Sequence, residues 1–313
     1  MCVIRSAAKV NLTLQITGKR EDGYHYLKSI LCPTSLTDEV ELTLADDISS
    51  SIDMSGVPFQ QDMELPESSD NLTTRVARAL KEVSGYAGGV RIHVKKQIPI
   101  GAGLGGGSGN AAATLVGLNE LWGANLSQEQ LIEIGAGVGS DIPAMIVDRL
   151  VSVEGVGEQV ESLENSHSAG DSGMWMVLVN PGFSVSTKDV FTRMDSALTS
   201  DSQVYKNMRF ALRSGDVKLA GHNLLNDLQA VVSRKFPLVE MVLEELVAQG
   251  SLGALMSGSG ATCFGLAETE AHAAEIEAES ILEKTSFVDT LKPGFTKTSH
   301  ISESPADSAF SRT

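Results

Sequence analysis

A glycine-rich segment followed by a helical pattern is the part of this sequence best suited to bind a ligand. Six of the nine residues from Gly101 to Gly109 are glycines, and a helix-forming run follows at residues 111–122. Glycines clear side chains from a loop, so successive N–H groups can point at one anion, and the N-terminus of the next helix adds partial positive charge. The apolar run 90–100 in front of the segment argues against a flexible linker. We therefore predict a phosphate-binding loop.

Two common phosphate-binding loops fit this segment poorly. The glycines have the spacing of a Rossmann dinucleotide loop, but the acidic residues about 20 positions later, Glu120 and Glu129, lie in helical patterns and not at a strand end. The outer glycine spacing also matches a Walker P-loop, yet Gly107 stands where that motif has its lysine. A cation for the phosphates must come from elsewhere, and a lysine near the N-terminus is the leading candidate.

The composition is that of an ordinary globular protein. With 313 residues, 42% of them hydrophobic and 20% charged, the chain is long enough for two domains. Its net charge of −16 opposes nonspecific binding to nucleic acid or to an anionic membrane. No apolar run approaches the length of a membrane span, and the N-terminus lacks a long apolar segment, so we expect a cytoplasmic protein.

The cysteines and histidines do not form a recognisable metal-binding motif. Cys2, Cys32 and Cys263 are odd in number and far apart, which predicts buried, reduced thiols. The six histidines show no paired spacing typical of a metal site. We expect any divalent ion to arrive with a nucleotide.

Strand and helix patterns are mixed along the chain. Strands are predicted at 8–17, 40–44, 90–94, 150–154 and 174–179, and helices at 72–83, 111–122, 217–232 and 238–249. An apolar segment follows at 263–266. Asp70 and Asn71 are suited to cap the first helix, and Ser127 with Gln130 forms a capping box. The polar segment 161–173 predicts a boundary between domains 1–163 and 174–295, and the serine-rich residues 296–313 predict a disordered tail.

Two further loops of small residues stand out, at 135–143 and 257–260. The first contains Asp141 just before a helix-starting proline, and the commonplace interpretation of that carboxylate is a helix N-cap. Lys9 lies in an apolar strand pattern, where a single lysine usually points to solvent from an edge. Asn11 shares a strand face with Lys9 because side chains two positions apart point the same way.

Together these features resemble the GHMP family of small-molecule kinases over nearly the whole chain. The matching segments are 8–14, 18–25, 70–72, 99–108, 139–143, 154–157, 181–182, 226–228 and 257–260. The tetrad Asp22-Gly23-Tyr24-His25, placed after an Ala-Lys-x-Asn-Leu strand, is similar to the members that act on a cytidine diphosphate sugar alcohol in non-mevalonate isoprenoid synthesis.

The resemblance implies a two-domain α+β GHMP kinase fold. It would comprise an N-terminal ribosomal-protein-like nucleotide-binding domain and a C-terminal α/β sandwich with an antiparallel sheet. The implied activity is ATP-dependent phosphorylation of the 2-hydroxyl of the sugar alcohol, with magnesium bound alongside ATP and its protein ligands unassigned. The implied partners are these small molecules alone, with neither nucleic acid nor membrane, and the implied assembly is a monomer or a homodimer.

The resemblance also implies roles for individual residues. Asp141 would be the general base, and Lys9 would keep its carboxylate ionised and stabilise developing negative charge. Asn11 would bind the erythritol hydroxyls, and Tyr24 and His25 would receive the cytosine with Phe191 on its opposite face. The implied ATP-binding residues are Pro99, Ile100, Gly101, Ala102, Gly103, Leu104, Gly105, Gly106, Gly107, Ser108 and Gly109, and the 257–260 turn would close over the acceptor.

One residue of the glycine-rich segment departs from the family pattern. Gly109 stands where the family usually has a serine, so we expect only its backbone N–H to contribute.

Three other functions are considered. Another GHMP kinase with a mevalonate-like, homoserine or sugar acceptor fits less well, because Tyr24 and His25 are suited to bind a nucleotide base. A nonenzymatic nucleotide sensor on the same fold would have no need of the proton acceptor Asp141. A Rossmann-type redox enzyme is the most distant alternative.

Overall fold

A computed structural model describes residues 1–57, 70–163, 174–194, 202–279 and 287–291. Its strands are β1 Cys2–Lys19, β2 His25–Ala45, β3 Ser49–Asp53, β4 Gly89–Lys95, β5 Val151–Gly155, β6 Gln159–Ser162, β7 Trp175–Asn180, β8 Leu225–Asn226, β9 Ala254–Met256, β10 Cys263–Ala267 and β11 Phe287–Leu291. Its helices are α1 Leu72–Ser84, α2 Gly106–Leu121, α3 Gln128–Ala136, α4 Ile142–Val147, α5 Thr187–Thr192, α6 Ser202–Ser214, α7 Val217–His222, α8 Gln229–Lys235, α9 Leu238–Ala248 and α10 Glu270–Glu279.

The strands form two sheets. The first is seven-stranded, with the order β3-β4-β2-β1-β8, while β5 pairs with β2 and β6. The long β1 and β2 run antiparallel, whereas β3 pairs with β4, and β8 with β1, in parallel. The second sheet is four-stranded and antiparallel, in the order β11-β7-β10-β9.

Strand β1 carries the side chains that matter most for the cleft described below. Its even-numbered residues from Ala8 to Ile16 are apolar and buried in the core. The odd-numbered residues Lys9, Asn11 and Thr13 are also buried, but they are polar and point to the opposite face. One strand therefore anchors the core and presents a row of hydrogen-bonding groups.

Helix α2 packs closely on this sheet because its residues are small. A Cβ atom on Gly117 would lie 2.4 Å from Ile4 and 2.6 Å from Leu42. The alanines Ala111 and Ala112 are buried in the same core. This close approach brings the N-terminus of α2 next to β1 and β2.

Most of the predicted strands and helices are present. All five predicted strands are found, those at 8–17 and 40–44 extend into longer strands, and the apolar segment 263–266 lies in β10. Asn71 caps α1 by accepting a hydrogen bond from the N–H of Thr73, and the capping box of α3 forms as expected. The three cysteines are buried and free, as predicted.

The predicted helix over 217–232 is wrong. The structure divides that region into α7, β8 and α8. Asn226 causes the break, since its side-chain amide donates to the carbonyl oxygens of Met256 and Gly258 at 2.7 and 2.8 Å. These long-range hydrogen bonds favour an extended segment over the local helical pattern.

Several other features fall outside the sequence-based expectations. Strands β3, β6, β9, β10 and β11 and helices α5, α6 and α10 were not predicted. Helix α2 begins at Gly106, inside the expected loop. The predicted domain boundary falls largely on residues 164–173, and the tail on 296–313, both outside the described residues, so these two assignments stay predictions. No helix in the described part of the chain has the length and hydropathy needed to cross a bilayer.

Phe264 is the largest fully buried side chain among the residues that the structure describes, and its removal should destabilise the fold. It lies in β10 within the core that joins the two sheets. We expect Phe264→Ala to lower the free energy of unfolding by about 3–5 kcal/mol. In Phe210→Ala, which truncates a side chain that is 64% exposed, the change should stay within about 0.5 kcal/mol. Urea denaturation of both variants measures the difference, and equal losses would contradict this account of the core.

Candidate active site

A cleft of about 1080 Å³ opens between the two halves of the molecule, and it gathers almost all the predicted site residues. Those that line it are Lys9, Asn11, Tyr24, His25, Pro99, Ile100, Gly101, Ala102, Gly103, Leu104, Gly105, Gly106, Gly107, Ser108, Asp141, Phe191, Gly258 and Ser259. Residues separated by up to 250 positions thus meet around a single space.

The glycine loop, residues 99–105, turns sharply between β4 and α2. Gly101, Gly103 and Gly105 have φ angles of +66°, +78° and +67°, a region that residues with a Cβ atom rarely adopt. Gly105 is the N-cap of α2, and no side chain caps the helix there. Because the first N–H groups of a helix have no intrahelical partner, those of α2 are suited to bind an anion in the cleft.

A second loop contacts the glycine loop and supports it. We call residues 257–260 the closing turn. The hydroxyl of Ser257 donates to the carbonyl oxygen of Gly103 at 3.0 Å, and a Cβ atom on Gly103 would lie only 2.1 Å from the carbonyl oxygen of Ser257. The backbone N–H of Thr262 donates to Ala102 at 3.2 Å. The shape of the glycine loop therefore depends on the second half of the chain.

Gly109 is the exception among the predicted ATP-binding residues. It does not line the cleft, and its N–H donates to the carbonyl oxygen of Gly105 at 2.8 Å within α2. A Cβ atom at this position would lie 2.5 Å from the hydroxyl oxygen of Ser6. Gly109 thus allows α2 to approach β1. The expectation that its N–H binds a phosphate is wrong, because that N–H is already bonded within α2.

Lys9 is buried at the floor of the cleft and does not point to solvent. Its Nζ donates to Asn11 Oδ1 at 2.7 Å and to the carbonyl oxygen of Gly103 at 3.0 Å. Its backbone N–H donates to the carbonyl of Leu104 at 3.0 Å. Burial lowers the pKa of Lys9, and the nearby Asp141 opposes this shift. The ammonium group is therefore fixed beside the glycine loop.

Asp141 faces this ammonium group and remains accessible. Its Oδ2 lies 3.9 Å from Lys9 Nζ, and its side chain is 45% exposed. Asp141 occupies the N-cap position of α4, but its side chain makes no capping hydrogen bond. The commonplace interpretation as a helix cap is thus wrong, and the carboxylate is free to accept a proton from a ligand.

Aromatic residues form the far end of the cleft. The rings of His25 and Phe191, which we call the ring pair, have centroids 5.3 Å apart and an interplanar angle of 31°. Tyr24 lies beside them and is 68% exposed. Burial, with a smaller contribution from the ammonium group of Lys19, lowers the pKa of His25. This shift favours the neutral imidazole, which can both donate and accept hydrogen bonds.

A buried ion pair near the glycine loop escaped the sequence analysis. Asp38 is fully buried and pairs with Lys96, while its Oδ1 accepts from the N–H groups of Gln97 and Ile98 at 2.7 and 2.8 Å. The carboxylate thus holds the segment that leads into the loop. Asp38 stands in a polar stretch of β2, and nothing in the local pattern distinguishes it from an exposed strand residue.

The chain matches two family models over part of its length and individual proteins over most of it. Residues 71–149 match the GHMP kinases N terminal domain, and residues 208–279 match the GHMP kinases C terminal domain. It is 41% identical to a 4-diphosphocytidyl-2-C-methyl-D-erythritol kinase from Geobacter sp. strain M21, over 89% of this chain and 93% of that protein. A relative of the same name from Syntrophus aciditrophicus is 37% identical over 91% and 95%.

The chain belongs to the family of 4-diphosphocytidyl-2-C-methyl-D-erythritol kinases. A crystal structure of 4-(cytidine 5'-diphospho)-2C-methyl-D-erythritol kinase superimposes with a TM-score of 0.73 at 31% identity, covering 92% of this chain and 98% of that one. A homoserine kinase from Cytophaga hutchinsonii, 19% identical with a TM-score of 0.72 and covering 92% and 93%, shares the fold. The predicted family and the two-domain GHMP kinase fold class are confirmed, and membership makes the protein an ATP-dependent kinase.

The contact between Gly103 and the closing turn can be tested with two alanine substitutions. Gly182→Ala introduces a Cβ at φ +81° with no atom within 4 Å, so it should cost only the roughly 1–2 kcal/mol of a left-handed conformation. Gly103→Ala adds a clash with Ser257 at a similar φ, and we expect a larger loss of stability and at least about tenfold weaker ATP binding. Denaturant unfolding and ATP titration compare the two, and similar ATP affinities would contradict the proposed support of the loop.

Proposed function

We propose that this protein transfers the γ-phosphoryl group of ATP to the 2-hydroxyl of 4-diphosphocytidyl-2-C-methyl-D-erythritol, within isoprenoid precursor synthesis. The observation that carries this proposal is the position of Lys9 and Asp141 beside the glycine loop in one cleft. A phosphate-binding loop alone would serve any nucleotide protein. An accessible carboxylate next to a buried ammonium group adds what phosphoryl transfer to an alcohol requires.

The glycine loop would position the donor. The free N–H groups at the start of α2 and the side-chain-free surface of the loop suit the triphosphate of ATP. Ser108 lines the same part of the cleft and can donate its hydroxyl to a phosphate oxygen. Binding there would point the γ-phosphate toward Lys9.

Asp141 would act as the general base. The acceptor hydroxyl transfers its proton to the Asp141 carboxylate as its oxygen forms a bond to the γ-phosphorus. The bond from that phosphorus to the bridging oxygen breaks, and ADP leaves with the electron pair. Lys9 lies 3.9 Å from the carboxylate and would stabilise negative charge that develops on the transferred group.

Magnesium would enter together with ATP. Among the described residues, no group of three or more His, Cys, Asp or Glu side chains is placed to hold a metal ion. Magnesium commonly binds through substrate phosphates, water and one or two protein oxygens, and the hydroxyl of Ser108 fits that pattern. The ion would offset the charge of the phosphates. Asp141 would accept the proton, and Lys9 would stabilise the charge on the transferred group.

The ring pair and Tyr24 support a cytidine-containing acceptor over the smaller acceptors of other GHMP kinases. Aromatic faces stack on a flat base, and a neutral imidazole can hydrogen-bond to its edge. Asn11, whose amide nitrogen donates to Ser29 Oγ at 2.9 Å and whose oxygen accepts from Lys9, would face the hydroxyls of the erythritol unit. A homoserine or mevalonate molecule offers nothing for the aromatic end to bind.

Asp141→Asn tests the general base. The amide keeps the size of the side chain but cannot accept the proton, so we expect kcat to fall about 10²–10⁴-fold while KM for ATP changes little. An ADP-release assay measures both constants. Asp46→Asn, which removes an exposed carboxylate away from the cleft, is the matched control and should keep full activity. Robust turnover by the Asp141 variant would overturn the role of this residue.

Tyr24→Ala tests the cytidine site. Loss of the stacking face should raise KM for the cytidine diphosphate substrate about tenfold, with little effect on KM for ATP. Tyr26→Ala removes a neighbouring ring that is 44% exposed and does not line the cleft, and it should leave both values unchanged. Equal losses for the two substrates would argue against a base-binding role for Tyr24.

A further inference from the structure

Four lysines line the cleft, and two of them have no partner in the described part of the chain. Lys9 is held by Asn11, Gly103 and Asp141, and Lys96 is paired with Asp38. Lys19 and Lys188 also line the cleft, are exposed, and form no ion pair with any described residue. In a chain with a net charge of −16, two unpaired ammonium groups facing one cleft favour the binding of an anionic ligand there.

Two of the carboxylates near these lysines in the sequence, those of Asp22 and Asp189, already have other partners. Asp22 lies 2.7 Å from Arg20 and accepts a hydrogen bond from the N–H of Tyr24. Asp189 lies 3.0 Å from Arg193 and 2.7 Å from Lys235. Glu21, two positions from Lys19, forms no ion pair with it either, so among the described residues both ammonium groups are left for a ligand.

Both lysines are placed beside the ring pair. Lys19 is the cross-strand partner of His25 at the end of the β1–β2 hairpin, and its charge is close enough to contribute to the lowered pKa of His25. Lys188 precedes Phe191 by three positions on α5, so the two side chains share one face of that helix. Each member of the ring pair therefore has one lysine next to it.

Helix α5 connects the ring pair to the region of Lys9. The hydroxyl of Thr187 lies 2.8 Å from that of Ser259 in the closing turn. A Cβ atom on the neighbouring Gly258 would lie 3.1 Å from Lys9 Nζ. Lys188, next to Thr187, thus belongs to the stretch of the cleft between the aromatic end and the Lys9–Asp141 pair.

We propose that Lys19 and Lys188 bind the diphosphate of the acceptor substrate and so select a nucleoside diphosphate compound over an uncharged nucleoside. This inference rests on the proposed function, because it takes the cytidine base to lie at the ring pair. With the base there and the reacting hydroxyl at Asp141, the diphosphate leaves the base at the level of Lys19 and His25 and passes Lys188 on the way to Asp141. Their ammonium groups offset its charge, and the ATP phosphates remain with the glycine loop and Lys9.

Binding of cytidine and CDP as probes separates base recognition from diphosphate recognition. Isothermal titration is done with a nonhydrolysable ATP analogue at saturation, so that neither probe enters the ATP site. The variants are Lys19→Gln and Lys188→Gln, each removing one charge. Lys206→Gln, an exposed lysine on α6 outside the cleft, is the matched control.

We expect each cleft variant to bind CDP about tenfold more weakly than the unmodified protein, and the double variant to lose most of the preference for CDP over cytidine. Affinity for cytidine and KM for ATP should stay unchanged in all variants, and Lys206→Gln should behave like the unmodified protein. The proposal is overturned if CDP binding is unaffected, or if cytidine or ATP binding weakens equally. Failure of the unmodified protein to phosphorylate the cytidine diphosphate substrate would instead overturn the proposed function itself.

Discussion

The burial of one ammonium group, that of Lys9, is the constraint on which the arrangement of the cleft depends. A charged group away from water is costly unless polar atoms surround it. Here those atoms come from Asn11 on the same strand, from the backbone of Gly103 and from the carboxylate of Asp141. Satisfying the charge therefore brings a sheet, a glycine loop and the start of α4 to one point.

The carbonyl oxygen of Gly103 links the two halves of the molecule. It accepts hydrogen bonds from Lys9 Nζ and from the hydroxyl of Ser257, which belong to the first and the last thirds of the chain. Asn226 in turn fixes the closing turn through the carbonyl of Gly258. The loop that faces the nucleotide is thus supported from both sheets, and its shape is a property of the whole fold.

Local signals explain which features could be predicted from the sequence. The glycine pattern of the loop, the Asn71 cap and the capping box of α3 each consist of residues close together in the chain, so a loop and two helix starts were expected there. The division of 217–232 was not, because it depends on Asn226 bonding to a carbonyl 30 positions away. The Asp38–Lys96 pair, 58 positions apart, was likewise invisible to any short window.

Within the candidate site, the family resemblance supplied what local patterns could not. The strand pattern around Lys9 and the proline after Asp141 both favoured commonplace interpretations, an edge lysine and a helix cap. The structure shows a buried ammonium group and a carboxylate that caps nothing. For Gly109 the resemblance was misleading. Its N–H was expected to bind a phosphate, but it donates to the carbonyl oxygen of Gly105 within α2.

The parallel pairing of β8 with β1 has a consequence for biosynthesis. Strand β1 is translated long before this neighbour, and Ser257 follows later still. A nascent polypeptide still lacking these residues has an unfinished sheet edge and an unsupported glycine loop. Nucleotide binding by this enzyme is thus an ability acquired only after Ser257 has been translated.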